Sequence, residues 1–258
     1  MGYGYFGEVR LGMWRSKTVA CKRIYEKTFK NAKDINNFCR EVKLLSELRH
    51  PNVVLFLGSC TDGKDKIIVT EYCEKGSLSL LLKNQKLDPP TQLKIARDIA
   101  LGMNHLHHEN VLHRDLTSAN ILLSASLEAK VSDFGLSRRE PPDGLLSCTM
   151  GSVPWMAPEV IDNAKNFTKK SDVYSYAIIL WEIQTGKDPC PPEMSSIMLA
   201  TKVLNEKYRP SIPDTVPIEW LQLIEKCWHQ DPHERPNFSE ILNTLDNFDY
   251  PGTLDLPP

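Results

Sequence analysis

His113-Arg114-Asp115-Leu116-Thr117-Ser118-Ala119-Asn120, followed downstream by Asp133-Phe134-Gly135, decides the reading of this 258-residue chain. Asp115 and Asp133 stand 18 positions apart, with Asn120 between them. Two acids and one amide at these offsets are what metal-assisted phosphoryl transfer requires. One carboxylate accepts a hydroxyl proton, one holds Mg²⁺ against phosphates, and the amide holds a second Mg²⁺. Either run alone is weak evidence; the ordered pair is strong.

Working outward, Gly2-Tyr3-Gly4-Tyr5-Phe6-Gly7-Glu8-Val9 matches G-x-G-x-x-G-x-V. Glycines at Gly2, Gly4 and Gly7 let a backbone approach phosphates and present N–H groups to them. Dinucleotide-binding folds carry a similar run, and a plain glycine-bearing hairpin is the other reading. Two features favour a phosphate loop. Strand-like residues, not a helical pattern, follow the third glycine, and Val19-Ala20-Cys21-Lys22 then arrives with a Lys at the end of an apolar run, which resembles the place where a kinase supplies the Lys for the α- and β-phosphates.

Composition excludes several classes. A net charge of −2 and a pI near 6.4, with basic residues spread along the chain, predict no nucleic-acid partner. The longest apolar stretches, such as Tyr176 to Trp181, fall far short of the roughly 20 residues that span a bilayer. No charged-then-apolar leader opens the chain. Seven cysteines, odd in number and without C-x-x-C spacing, read as thiols of a reducing compartment. The expectation is a soluble, cytoplasmic protein with no membrane span.

Periodicity divides the chain in two. Residues 1–73 read as short strands, with Val19 to Ile24 and Lys66 to Glu71 the clearest, around one helix from Asp34 to Leu48. That helix carries its apolar face at Ile35, Phe38, Val42, Leu45 and Leu48. From about residue 77 the pattern turns helical, over Leu93 to His107, Val173 to Gln184, Glu219 to Trp228 and Phe238 to Phe248. Asp88-Pro89-Pro90 and Asp188 to Glu193 read as loops. The reading is α+β: a small β-rich lobe with one main helix, a hinge over 71–76, and a larger helical lobe over 77–250. Residues 251–258 read as a frayed tail. The abrupt start inside a phosphate loop reads as a fragment of a longer protein.

These motifs, in this order, resemble eukaryotic protein kinases from Gly2 to about Leu245. The resemblance implies a two-lobed kinase fold, ATP and Mg²⁺ as cofactors, and a protein substrate. It casts Asp115 as catalytic base, Asn120 and Asp133 as metal ligands, and Lys22 as the phosphate cation. Glu41 is the implied partner of Lys22, with Asp34 and Glu47 on the same segment. Thr70 falls at the gatekeeper position before the Glu71-Tyr72-Cys73 hinge. Val9, Ala20 and Leu122 are implied to sandwich adenine. Cys73 borders the site, or is simply a small apolar hinge residue. Leu45, Phe56, His113 and Phe134 are implied to stack into a column between the lobes, with His113 structural. Glu159 of Ala157-Pro158-Glu159 is implied to pair with Arg235, unless both are unrelated surface charges. Asp172 either braces the catalytic loop or caps a helix.

The run Gly151 to Glu159, with Trp155-Met156-Ala157-Pro158-Glu159, is similar to the tyrosine-kinase-like group that contains Raf and mixed-lineage kinases. Most of that group phosphorylates Ser and Thr. One departure stands out: Thr117 and Ala119 occupy the positions where Ser/Thr kinases carry a Lys and tyrosine kinases an Arg. The expectation is Ser/Thr specificity extending to dual specificity in intracellular signalling. A pseudokinase scaffold, a tyrosine-specific kinase and a small-molecule kinase are the alternatives. Ser147 and Thr149 are candidate sites for an upstream kinase or autophosphorylation, where a phosphate would meet Arg114; unmodified hydroxyls are the other reading.

Overall fold

The computed structural model describes residues 3–4, 7–29, 32–133 and 150–248, without the side chains at 3, 4, 32–34, 37, 40, 41, 150 and 151. Gly2, Phe134, Gly135, Ser147, Thr149 and the tail lie outside the described residues, as does the Glu41 side chain.

The small lobe is an antiparallel sheet of β1 (Tyr3–Gly4), β2 (Gly7–Trp14), β3 (Lys17–Ile24), β4 (Phe56–Cys60) and β5 (Lys66–Glu71). Its order is β1-β2-β3-β5-β4. Arg15 and Ser16, at φ 47° and 61°, turn β2 into β3 with two successive left-handed residues, the twist a tight hairpin needs. A Cβ on Gly7 would lie 2.0 Å from the Arg23 carbonyl oxygen, so the β2–β3 pairing tolerates no side chain there.

Helix α1 (Ala32–Glu47) lies between β3 and β4 in sequence and packs on β4. Phe38, Leu45 and Leu48 are buried and Val42 packs against the same cluster. Ile35 departs from the predicted face, being 42% exposed. Among the described side chains of this helix, Phe38 is the first that is buried; periodicity shows which way a face points, not how far the opposing surface extends.

The large lobe contains α2 (Leu78–Asn84), α3 (Pro89–His108), α4 (Pro158–Asp162), α5 (Lys169–Thr185), α6 (Ser196–Asn205), α7 (Ile218–Cys227) and α8 (Phe238–Asp246). A three-stranded antiparallel sheet of β6 (Gly76–Ser77), β7 (Ile121–Leu123) and β8 (Ala129–Val131) lies on its upper side. The run Asp88-Pro89-Pro90, expected as a loop, begins α3 instead. Asp88 is the N-cap, accepting from Thr91 N at 2.8 Å, and the prolines fill first-turn positions whose missing N–H costs nothing. Helix α5 is buried nearly throughout, from Ser171 to Ile183, so it has no polar face and serves as the lobe's central post.

The lobes are stitched at residues 50–54. Val131 N donates to Asn52 O at 2.9 Å, Val54 N to Val131 O at 3.0 Å, and Asn52 Nδ2 to Ala129 O at 3.0 Å. Gly102 of α3 lies directly beneath: a Cβ there would come within 2.4 Å of Asn52 O. This seam holds β8, and therefore Asp133 just after it, at a set height above α3.

Candidate active site

The loop from Val111 to Asn120 hangs on a single buried acid. Asp172, 0% exposed in the first turn of α5, accepts Arg114 N on Oδ1 at 3.1 Å and His113 N on Oδ2 at 3.1 Å. His107 Nε2 reaches the same Oδ2 at 2.8 Å. The capping role belongs to Thr168, which forms a reciprocal box with Ser171. Tied this way, Arg114 is held at φ 69°, a left-handed turn that a non-glycine residue adopts only when its surroundings impose it. His113 is fully buried. Its Nε2 donates to Ser132 O at 2.9 Å while its Nδ1 accepts from Asp115 N at 3.3 Å. Both ring nitrogens are thus committed to backbone, and the imidazole serves as a brace.

Asp115, Asn120 and Asp133 come together at the end of this loop. Asn120 Nδ2 donates to Asp115 O at 2.7 Å and to Asp115 Oδ2 at 3.1 Å. Ser132 ties β8 to the loop, its N and Oγ donating to Asn120 O at 2.9 and 2.8 Å. Burial pushes the Asp115 carboxyl above the usual carboxylate range; hydrogen bonds from Ser152 and Asn120 and the nearby His113 oppose that, and Asp133 adds to it. Asp133 itself is at φ 60° and its carboxylate forms an ion pair with Lys22. This pair brings β3 of the small lobe onto the acid of the large lobe; the expected Lys22–Glu41 pairing falls on a side chain outside the described residues.

The oxygen donors suit Mg²⁺, a hard cation that takes one or two carboxylates and fills its shell with phosphate oxygens and water. Asp133 offers a carboxylate. Asn120 uses its amide NH₂ on Asp115, leaving an Oδ1 that accepts no hydrogen bond among the described residues. No group of three or more His, Cys, Asp or Glu gathers among the described residues, so the side chains alone build no closed metal cage there.

Around this cluster the remaining predicted residues line up by strand register. Val9 pairs with Lys22 across β2 and β3, and Ala20 with Thr70 across β3 and β5. Leu122 lies on β7, with Val9, Ala20, Thr70 and Leu122 all half-buried. The Glu71 carboxylate is structural, accepting Leu55 N at 2.8 Å and pairing with Lys130 at 3.1 Å. Cys73 is 5% exposed, and burial, with Glu71 adding to it, pushes its thiol up to about 12. That is an inert thiol. Its backbone N–H has no partner among the described residues and remains a donor for a ligand's acceptor.

Below the cluster, Glu159 and Arg235 form the expected pair, at 2.7 and 2.9 Å. Two features escaped the sequence reading. Ser152 hydrogen-bonds the Asp115 carboxylate. Glu182, on α5, accepts both Ser118 Oγ at 2.6 Å and Trp155 Nε1 at 2.8 Å. A signal for the second existed: one acid inside the apolar run Ile178-Ile179-Leu180-Trp181-Glu182-Ile183.

Comparison with known proteins agrees with this geometry. The family described as protein tyrosine and serine/threonine kinase matches residues 1–245. The serine/threonine-protein kinase STY17 of Arabidopsis thaliana is 40% identical over 94% of this chain and 42% of its own length. Two Dictyostelium discoideum proteins, the dual specificity protein kinases shkC and splA, are 41% and 40% identical over 96% and 98% of this chain. They are matched over 50% and 11% of their lengths, so the chain spans half or less of each of these relatives. The chain belongs to the protein tyrosine and serine/threonine kinase family, with the small antiparallel-sheet lobe and helical lobe of that fold.

Proposed function

We propose that this kinase domain transfers the γ-phosphoryl group of ATP, with Mg²⁺, to serine and threonine hydroxyls of protein substrates, and accepts tyrosine as a lesser substrate. The observation that carries the reading is the joining of Asp115 and Asn120, by hydrogen bonds, to a cluster that also holds the Lys22–Asp133 pair. In this reading residues 1–73 form the small lobe, 71–76 the hinge and 77–250 the large lobe.

Asp115 orients the incoming hydroxyl and takes its proton as the new P–O bond forms. Its raised proton affinity suits an acceptor, and the hydrogen bonds from Asn120 and Ser152 hold the carboxylate in one orientation. Lys22 exchanges its Asp133 partner for the α- and β-phosphates when nucleotide enters, while Gly2, Gly4 and Gly7 cover them. Asp133 and Asn120 hold Mg²⁺, which neutralises phosphate charge during transfer. Val9, Ala20 and Leu122 enclose adenine, with the Cys73 N–H as donor. No Lys or Arg stands at Thr117 or Ala119, so the loop supplies no cation of its own beside the transferring group. That fits tolerance for both hydroxyl types, and the names of STY17, shkC and splA support the same range.

We place the reaction in the cytoplasm, in signalling, under control of phosphorylation at Ser147 or Thr149. The free thiols of all six described cysteines support a reducing compartment. The deciding experiment is incorporation of labelled phosphate into a generic protein substrate by the wild type and by Asp115→Asn. The wild type labels Ser and Thr, and Asp115→Asn loses about 100-fold or more in kcat. Equal labelling by both, or labelling of tyrosine alone on a peptide array, overturns the proposal.

A further inference from the structure

We infer that Glu182 is a positioning residue that locks the spacing between the catalytic loop and the substrate platform, through one hydrogen bond to each. The inference rests on the kinase reading of the Asp115 cleft.

Ser118 sits between Asp115 and Asn120, and Trp155 immediately precedes the Met156-Ala157-Pro158-Glu159 run. These segments are 37 residues apart in sequence, yet one carboxyl group bonds both: Ser118 Oγ to Oε1 at 2.6 Å and Trp155 Nε1 to Oε2 at 2.8 Å. The platform end is fastened further. Ser175 Oγ donates to Trp155 O at 2.7 Å, and Glu159 is gripped by Arg235. Glu182 is buried and has no ion pair among the described residues. A buried carboxyl without a cation is an expensive choice for packing alone, since a leucine would fill the space at less cost. What leucine lacks is two acceptors diverging from one planar carbon on a rigid helix. That geometry sets how far the base lies from a hydroxyl presented by the platform, a distance to which phosphoryl transfer is acutely sensitive.

The chemistry of the two donors makes the idea testable. Trp155 Nε1–H can only donate, so one atom at position 182 must accept. The Ser118 hydroxyl can donate or accept. An amide at 182 therefore satisfies both arms, its oxygen facing Trp155 and its NH₂ facing Ser118, whereas leucine satisfies neither.

The test uses the whole chain with a protein substrate and ATP. Glu182→Gln is expected to keep kcat within about 3-fold of wild type, and Glu182→Leu to lose about 100-fold, with KM for ATP unchanged in both. Ser118→Ala is expected to lower kcat, and Trp155→Phe to raise KM for the protein substrate. Amide hydrogen exchange supplies a second readout that does not need turnover or the Leu variant. Trp155→Phe is expected to speed exchange at 116–120, and to add nothing there once Ser118 is Ala. A Leu variant as active as wild type, a Gln variant as impaired as Leu, or a Trp155→Phe effect confined to 150–157 overturns the inference. If the wild type transfers no phosphate, the kinase reading fails by itself, and the exchange experiment still decides whether Glu182 couples the two segments.

Discussion

Arg235 grips Glu159 with both prongs of its guanidinium, Nη1 to Oε1 at 2.7 Å and Nη2 to Oε2 at 2.9 Å, while being only 1% exposed. Its other N–H groups are matched as well: Nε donates to His229 O at 2.8 Å, and Nη1 to Lys170 O at 3.0 Å. The cation lies 5.2 Å from the Tyr174 ring centroid. The ion pair thus fastens the short helix α4 to the segment before α8, and α5 lies alongside through Lys170 and Tyr174.

Removing one member of so complete a pair leaves the other charged and largely buried. Arg235→Ala is expected to cost about 3–5 kcal/mol of unfolding free energy. Arg235→Lys should not restore it, because an ammonium cannot reach both carboxylate oxygens and the His229, Lys170 and Gln230 carbonyls at once. Urea unfolding of the three proteins checks both statements.

Asp172 gives a sharper test of the catalytic loop. Each of its oxygens accepts a loop N–H, so Asp172→Asn must turn an NH₂ toward a backbone donor. Loss of about 1–3 kcal/mol in stability is expected, with a fall in kcat larger than any change in KM for ATP. Thermal melts and steady-state kinetics on one preparation separate the two effects.

Stability should depend on pH through Glu182. Burial pushes its carboxyl from 4.5 up to about 8; Asp188 adds to the rise, while the bonds from Ser118 and Trp155 and the charge of Lys83 oppose it. A carboxyl raised in the folded state contributes stability that is complete below 4.5 and is lost as pH rises through about 8. Between those limits the wild type is expected to lose up to about 1.4 kcal/mol per pH unit relative to Glu182→Gln. Denaturant unfolding at acid, neutral and mildly alkaline pH checks it; a constant gap between the two proteins would refute it.

Cys73 borders the proposed adenine site but should resist alkylation. With its thiol near 12, the thiolate is about one part in 30,000 at pH 7.5. Iodoacetamide followed by peptide mass mapping is expected to label the exposed Cys39 and Cys60 first, leaving Cys73 intact until the protein unfolds.

Much of this was legible in the chain. Strand β5 has the predicted bounds, and Val19 to Ile24 falls within β3, because β-branched residues between turns leave few other choices. The Glu159–Arg235 pair and the bracing by Asp172 also agree with expectation. Other features were misread for definite reasons. Asp88-Pro89-Pro90 looks like a loop until Asp88 is seen as a cap. Ile35 keeps the helical period yet stays 42% exposed. Ser118 and Trp155 are unremarkable letters until Glu182 arrives between them.

By itself the sequence determined which chemistry is available: an acid, an amide and a second acid in order, a lysine on a strand, and glycines ahead of it. Local steric preferences and the hydrophobic period act over a few residues, so they can be read from neighbours. Only the tertiary structure decided that Lys22 meets Asp133 across 111 positions, and that a lone acid on α5 holds two segments at once. Such contacts depend on where whole helices and sheets come to rest, and that is set by burial summed over the entire core, which no short stretch of letters encodes.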